Sequence, residues 1–135
     1  MTTRFLLDTN ALSQLVREPR GTVGTRLRDV GDSNVFTSII VACELRYGAR
    51  KRGSAALTER VERLLASIDV APLESGVDPL YAEIRHELES KGTPIGSNDL
   101  LIAAHALEQR ATLVTDNVAE FQRVPGLHIE NWVRP

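Results

Sequence analysis

The chain has 135 residues, 42% of them hydrophobic and 25% charged, with a formal net charge of −2. That length supports one domain, residues 1–135, with a real core but not two. The balance excludes a disordered tail or a strongly basic polyanion binder, and no apolar run is long enough to cross a bilayer.

The N-terminus carries no signal-peptide pattern. The single cysteine, Cys43, excludes an internal disulfide and fits a reducing compartment, so a cytoplasmic protein without a membrane partner is expected. Phe5-Leu6-Leu7 is a short apolar run of the kind found in strands buried on both faces. It stops at Asp8, and Thr9-Asn10 open a helix over 11–17. Pro19-Arg20-Gly21 breaks the chain, and 22–30 follows as a helix with Val23, Leu27 and Val30 on one face. After the turn residues Gly31-Asp32-Ser33-Asn34 comes a strand over 35–37, with Ser38 placed to cap a helix over 39–51. Glu44 lies in that helix beside Ile40, Val41 and Leu45. Such a glutamate points inward or into a cleft, where it needs a cation or another partner. Cys43, in the apolar run 39–43, reads as core.

Gly53-Ser54 interrupts the helix, and 55–67 resumes it with Leu57, Val61, Leu64 and Leu65 at helical spacing. A short strand over 68–71 ends at Pro72. The next helix, 79–91, carries Leu80, Ile84 and Leu88, and leaves His86 on the surface. A loop over 91–97 leads into a helix over 98–109 that is apolar almost all round, hence packed on several sides. Asp99 sits in its first turn, and His105 reads as a core or rim histidine with its polar atoms satisfied. A buried strand over 111–115 runs into Asp116-Asn117, then a short helix over 118–123 and a last strand over 127–131. Repeats and low-complexity segments are absent.

About five short strands alternating with about seven helices predict an α/β fold, a parallel sheet covered by helices on both faces with right-handed crossovers. Ligands in such folds bind at the carboxyl edge of the sheet. Asp8, Glu44, Asp99 and Asp116 would meet there. Asp8 as a helix cap and Asp99 as a complement to a helix dipole are the bland alternatives. Four carboxylates within a few ångströms cannot all ionise without a counter-charge. Hard oxygen donors suit Mg2+ or Mn2+, whereas Zn2+ would ask for histidine or cysteine at ligand spacing. A carboxylate-held ion of this kind works on phosphates, activating water for in-line displacement.

No GxGxxG follows the first strand, and Walker A and GxSxG patterns are missing. A phospho-accepting response-regulator pocket would need paired acids after the first strand and a late lysine, and no lysine follows Lys91. Of the 16 basic residues only Lys51 and Lys91 are lysines. The cluster Arg46, Arg50, Lys51 and Arg52 is either a phosphate-facing patch or a helix end whose cations complement the dipole.

Several segments in order resemble the PIN-domain ribonucleases, and among them the VapC toxins of VapBC toxin–antitoxin pairs. They are Leu7-Asp8-Thr9-Asn10, Ser38 through Glu44-Leu45 with Tyr47-Gly48, Pro94 through Asp99 into Ile102-Ala103-Ala104-His105-Ala106, Leu113-Val114-Thr115 with Phe121, and Glu130-Asn131-Trp132. The resemblance implies a metal-dependent (Mg2+ or Mn2+) endoribonuclease toxin cutting RNA, tRNA above all, to a 5′-phosphate and a 3′-hydroxyl. It also implies a homodimer held inactive by a VapB-type antitoxin whose C-terminal segment wraps the toxin. Asp8, Glu44 and Asp99 match the family's three acids. The fourth position falls on Asp116 or Asn117, with Asp116 preferred because a second metal needs charge. Thr9 and Thr115 match supporting hydroxyls. A catalytically inactive RNA- or partner-binding member and a housekeeping RNA-processing nuclease are the alternatives.

Overall fold

The computed structural model describes residues 2–135. Five strands form one parallel sheet: β1 (Phe5–Leu7), β2 (Val35–Ser38), β3 (Asp69–Ala71), β4 (Thr112–Val114) and β5 (Ile129–Glu130), in the order β3-β2-β1-β4-β5. The helices are α1 (Thr9–Arg17), α2 (Thr22–Val30), α3 (Ile39–Arg52), α4 (Ala55–Ser67), α5 (Val77–Ser90), α6 (Ser97–Glu108) and α7 (Val118–Phe121). This is the α/β architecture expected from the alternation of apolar runs and helical faces.

The central strand is the most apolar one. Leu6 and Leu7 are fully buried between Phe36 of β2 and Leu113 of β4, as a strand with neighbours on both edges and helices on both faces must be. Thr37 sits in the same buried layer because its hydroxyl donates to the Leu7 carbonyl (2.7 Å). The chain steps outward from β1 to β2 and β3, then returns to the other side of β1 for β4 and β5. The order therefore reverses between β1 and β4, and the crevice of such a fold opens at the carboxyl ends of those two strands. Leu7 pairs with Val114, and the Asp8 amide still donates to the Val114 carbonyl (2.9 Å), so Asp8 and Thr115 emerge side by side.

Two expectations for single residues change. Cys43 is exposed, not core. α3 buries Val41, Ala42, Leu45 and Ala49, and Cys43 falls on the opposite face, so the apolar run around it is broader than the stripe the core takes. His105 is fully buried in α6, but only its Nδ1 has a partner, the Ser38 Oγ at 2.8 Å. Its Nε2 lacks a hydrogen bond, and burial lowers the ring's pKa, keeping it neutral. The helix around it is apolar on nearly every side, as expected, and packs on α3, α5 and β4. Element ends otherwise move by a residue or two.

Candidate active site

Asp8 ends β1 and caps α1: its Oδ1 accepts the Thr9 amide at 2.8 Å. The bland reading of this residue is therefore true, and it leaves the other oxygen free for a second task. That oxygen accepts the Thr115 hydroxyl at 2.8 Å and the Asn10 amide at 3.3 Å. With 4% of its surface exposed, Asp8 is the most buried acid of the site. Burial pushes its carboxyl above the ordinary range, the nearby Glu44 adds to this, and the Thr115, Thr9 and Asn10 hydrogen bonds oppose it.

Glu44 reaches the same crevice from α3. Its Oε1 accepts the Thr9 hydroxyl at 2.5 Å and its Oε2 the Asn98 amide at 3.5 Å. The protein partners of Glu44 are thus a hydroxyl and an amide. Asp99, in the first turn of α6, is pushed up to about 7. Burial contributes most, and a hydrogen bond to Glu120 with the charges of Glu120, Asp8 and Glu44 adds the rest.

Glu120, on α7, was not anticipated. Its Oε1 accepts the Gly96 amide (3.0 Å) and its Oε2 the Asn117 side-chain amide (2.9 Å). Burial works to raise its pKa, but these two donors, the Asp99 proton and Arg123 prevail and hold it below the ordinary range. Of this pair, Asp99 is the acid that burial and its neighbours push toward the neutral form.

Asp116 does not join these acids. Arg134 donates to both its oxygens (2.9 and 2.7 Å), and the Asn131 amide donates to Oδ1 (3.0 Å). The guanidinium beside it holds its carboxyl below the usual range. The reason is alternation past β4. Thr115 turns its hydroxyl to Asp8, so Asp116 must face the other way and Asn117 returns to the acidic side. Asn10 clamps this register: its Oδ1 accepts the Asp116 amide (2.8 Å) while its side-chain amide donates to Thr115 (3.2 Å). The signal for Glu120 in the sequence is a glutamate in the first turn of the helix that follows a buried strand.

Of the basic cluster, Arg46 forks onto Glu62 with two bonds of 2.8 Å, which removes it from a free patch. Arg50, Lys51 and Arg52 form the last turn of α3 and carry no ion pair among the described residues. None of the ion pairs among the described residues involves Asp8, Glu44, Asp99 or Glu120. The crevice thus gathers carboxylates that repel one another without a basic side chain against them, and the donors are all hard oxygens. That donor set fits Mg2+ or Mn2+. The side chains are nevertheless not a finished coordination shell: among the described residues no three acids stand close enough to share an ion. Thr9 and Asn98 hold Glu44, and Glu120 holds Asp99, at hydrogen-bond positions of their own.

The fold and this crevice define a class. The PIN-domain family model matches residues 5–127, and the chain belongs to the PIN-domain family. Its relatives place it in the VapC branch. The protein named Ribonuclease VapC2 from Rickettsia felis is 36% identical over 130 residues, covering 95% of this chain and 97% of that protein. The tRNA(fMet)-specific endonuclease VapC of Salmonella typhimurium is 34% identical over 133 residues, with 96% and 98% covered. Among solved structures, VapBC2 from Rickettsia felis bound to a DNA fragment from its promoter superposes with a TM-score of 0.87. It is 35% identical and covers 96% of this chain and 99% of that one.

Proposed function

We propose that this chain is a VapC toxin that cuts tRNA as a Mg2+- or Mn2+-dependent endoribonuclease, leaving a 5′-phosphate and a 3′-hydroxyl. The observation that carries the reading is the set Asp8, Glu44, Asp99 and Glu120, gathered where the sheet order reverses and paired with no arginine or lysine. The names of its relatives, a VapC ribonuclease and a tRNA(fMet)-specific endonuclease, agree with it. When bound, the divalent ion supplies an activated water and a counter-charge for the phosphate in flight.

The chain's own residues do the rest. Asp8 presents one oxygen whose direction is set by the Thr115 hydroxyl and Asn10. Glu44 is turned toward the crevice by Thr9. Asp99 would offer its carboxylate once the ion's charge offsets the burial and the neighbouring acids that raise it. Asn117 and the Gly96 amide keep Glu120 in reach of Asp99. In the cell a VapB-type antitoxin would neutralise the same acids with an arginine or lysine, because an uncompensated anionic pocket attracts a cation. The active form is a homodimer by analogy with the family.

Incubating purified protein with total tRNA, first with Mg2+ or Mn2+ and then with excess EDTA, tests this. Cleavage is expected with either ion and not with EDTA. Cleavage that persists in EDTA rules out the metal mechanism, and an intact tRNA pool under all conditions rules out the tRNase.

A further inference from the structure

A groove of about 220 Å3 lies between α1, α3 and α4. That is below the roughly 300–1,000 Å3 of clefts for drug-sized ligands, so only a small group fits. At one end it is lined by Thr9 and Glu44, so it opens directly off the crevice. Its floor is apolar, made by Val16, Leu45, Ala49, Leu57 and Val61. Its rim carries Arg17 and Arg52, both exposed. Neither forms an ion pair among the described residues, and Arg17 donates only to the Ser13 carbonyl at 3.3 Å. The exposed arginines at positions 46, 63 and 85, by contrast, all meet carboxylates.

Gly48 adds an independent observation. It lies in the middle of α3 and lines the groove, where a glycine weakens a helix. No packing constraint requires it: a Cβ built there meets nothing within 4 Å. A side chain at this position would therefore enter open space beside the groove.

An apolar slot lined also by two unpaired guanidinium groups and by Glu44 suits an apolar group that carries anions beside it. An unstacked base offers an apolar face with no charge to repel Glu44, while its neighbouring phosphates suit arginine. We infer that this groove receives one unstacked nucleobase of the RNA substrate, next to the phosphate at the acids, with Arg17 and Arg52 on the flanking phosphates. The inference rests on the ribonuclease reading for its substrate, and it selects RNA with an unpaired nucleotide at the cut, as in a loop.

The test uses an RNA hairpin with 2-aminopurine in its loop, in EDTA, together with cleavage of the same hairpin in Mg2+. Binding wild-type protein should raise 2-aminopurine emission as the base leaves its stack, and Gly48→Leu, which fills the groove, should abolish that rise. In cleavage, removing the base beside the cut should lower wild-type kcat/KM about ten-fold, as loss of one stacked base does. Gly48→Leu should lose about as much on the intact hairpin and nothing further on the abasic one. Arg17→Ser with Arg52→Ser should reduce the salt slope of binding by roughly 1.4, at about 0.7 per single-strand phosphate contact.

A folded Gly48→Leu that binds, unstacks and cuts as wild type overturns the inference. If thermal melting shows that Gly48→Leu does not fold, the arginine pair decides, and an unchanged salt slope overturns it. Wild-type cleavage by Gly48→Leu combined with escape from antitoxin inhibition assigns the groove to a protein segment and also overturns it. Base unstacking without any cleavage by wild type would leave the groove standing and remove the nuclease reading.

Discussion

Asp116 and Glu120 lie within five residues of each other after the same strand, and they have opposite surroundings. Asp116 has a fixed cation, Arg134, on both oxygens and a third donor from Asn131. Glu120 has amide donors and another acid, Asp99, beside it. A guanidinium holds Asp116 down and amide donors chiefly hold Glu120 down, while burial first, and the neighbouring acids with it, push Asp99 up to about 7. The comparison shows that an acid's nearness to an active edge says little about its role. What matters is whether the fold has already supplied its counter-charge.

The sharpest way to break this comparison is to remove charge from the uncompensated side. Asp8→Asn and Asp99→Asn should each lower tRNA cleavage at least about a hundred-fold, with an unchanged far-UV circular dichroism spectrum. A variant that cuts at the wild-type rate removes that residue from the mechanism. Next come the two acids compared above. Glu120→Gln should cost about ten-fold or more in kcat/KM, and Asp116→Ala little. If Asp116→Ala is the dead enzyme and Glu120→Gln is nearly normal, the assignment of the fourth acid reverses.

A pH experiment isolates the electrostatics from the chemistry. Asp99 is raised from 3.8 to about 7 in the fold, so the native state holds a proton that the unfolded chain has lost between those values. Its contribution to stability is therefore full at low pH and lost as pH rises toward 7. Asp99→Asn, which resembles the protonated acid, should melt higher than wild type at pH 8 in EDTA, and the gap should close toward pH 4. Equal Tm differences at both pH values would show that the fold does not raise the Asp99 carboxyl.

Smaller effects should follow from the supporting hydroxyls. Thr9→Val and Thr115→Val each remove a hydrogen bond to a carboxylate, a loss of about ten-fold in kcat/KM at an order-of-magnitude cost of 1.5–3 kcal/mol. Steady-state kinetics with wild-type KM would be consistent with misdirected acids, whereas an unchanged rate would show that other contacts orient them. The smallest effect is expected from Arg134→Ala. The Arg134 side chain is 78% exposed, and exposed pairs add little to stability, so the change in Tm should be at the edge of measurement. A fall of many degrees would mean that the C-terminal segment is clamped chiefly by this pair.

Much of the molecule follows from short-range rules. A short apolar triplet bounded by polar residues, such as Phe5-Leu6-Leu7, suits a strand covered on both faces, and its alternation with helical stripes leads to the parallel sheet. Asp8, Glu44 and Asp99 were legible for the same reason, since each sits at a strand end or among apolar neighbours where an acid needs an explanation. The face of α3 that would be buried was less so: Cys43 and Val41 are both apolar, and only the packing of α3 against α1, α4 and α6 selects one.

The fourth acid depended on contacts that no local rule contains. Alternation after β4 states that Asp116 and Asn117 face opposite sides, without stating which side holds the acids. Thr115 decides it by gripping Asp8 from across the β1–β4 crevice, and Asn10 by accepting the Asp116 amide. Arg134, distant in sequence, then takes Asp116, and α7 brings Glu120 to Asp99. Sequence by itself determined the parallel sheet, the helices and the placing of Asp8, Glu44 and Asp99 toward one crevice, because burial and periodicity are properties of neighbouring residues. Tertiary structure alone decided which carboxylates remain uncompensated, because charge pairing joins residues that the chain keeps far apart.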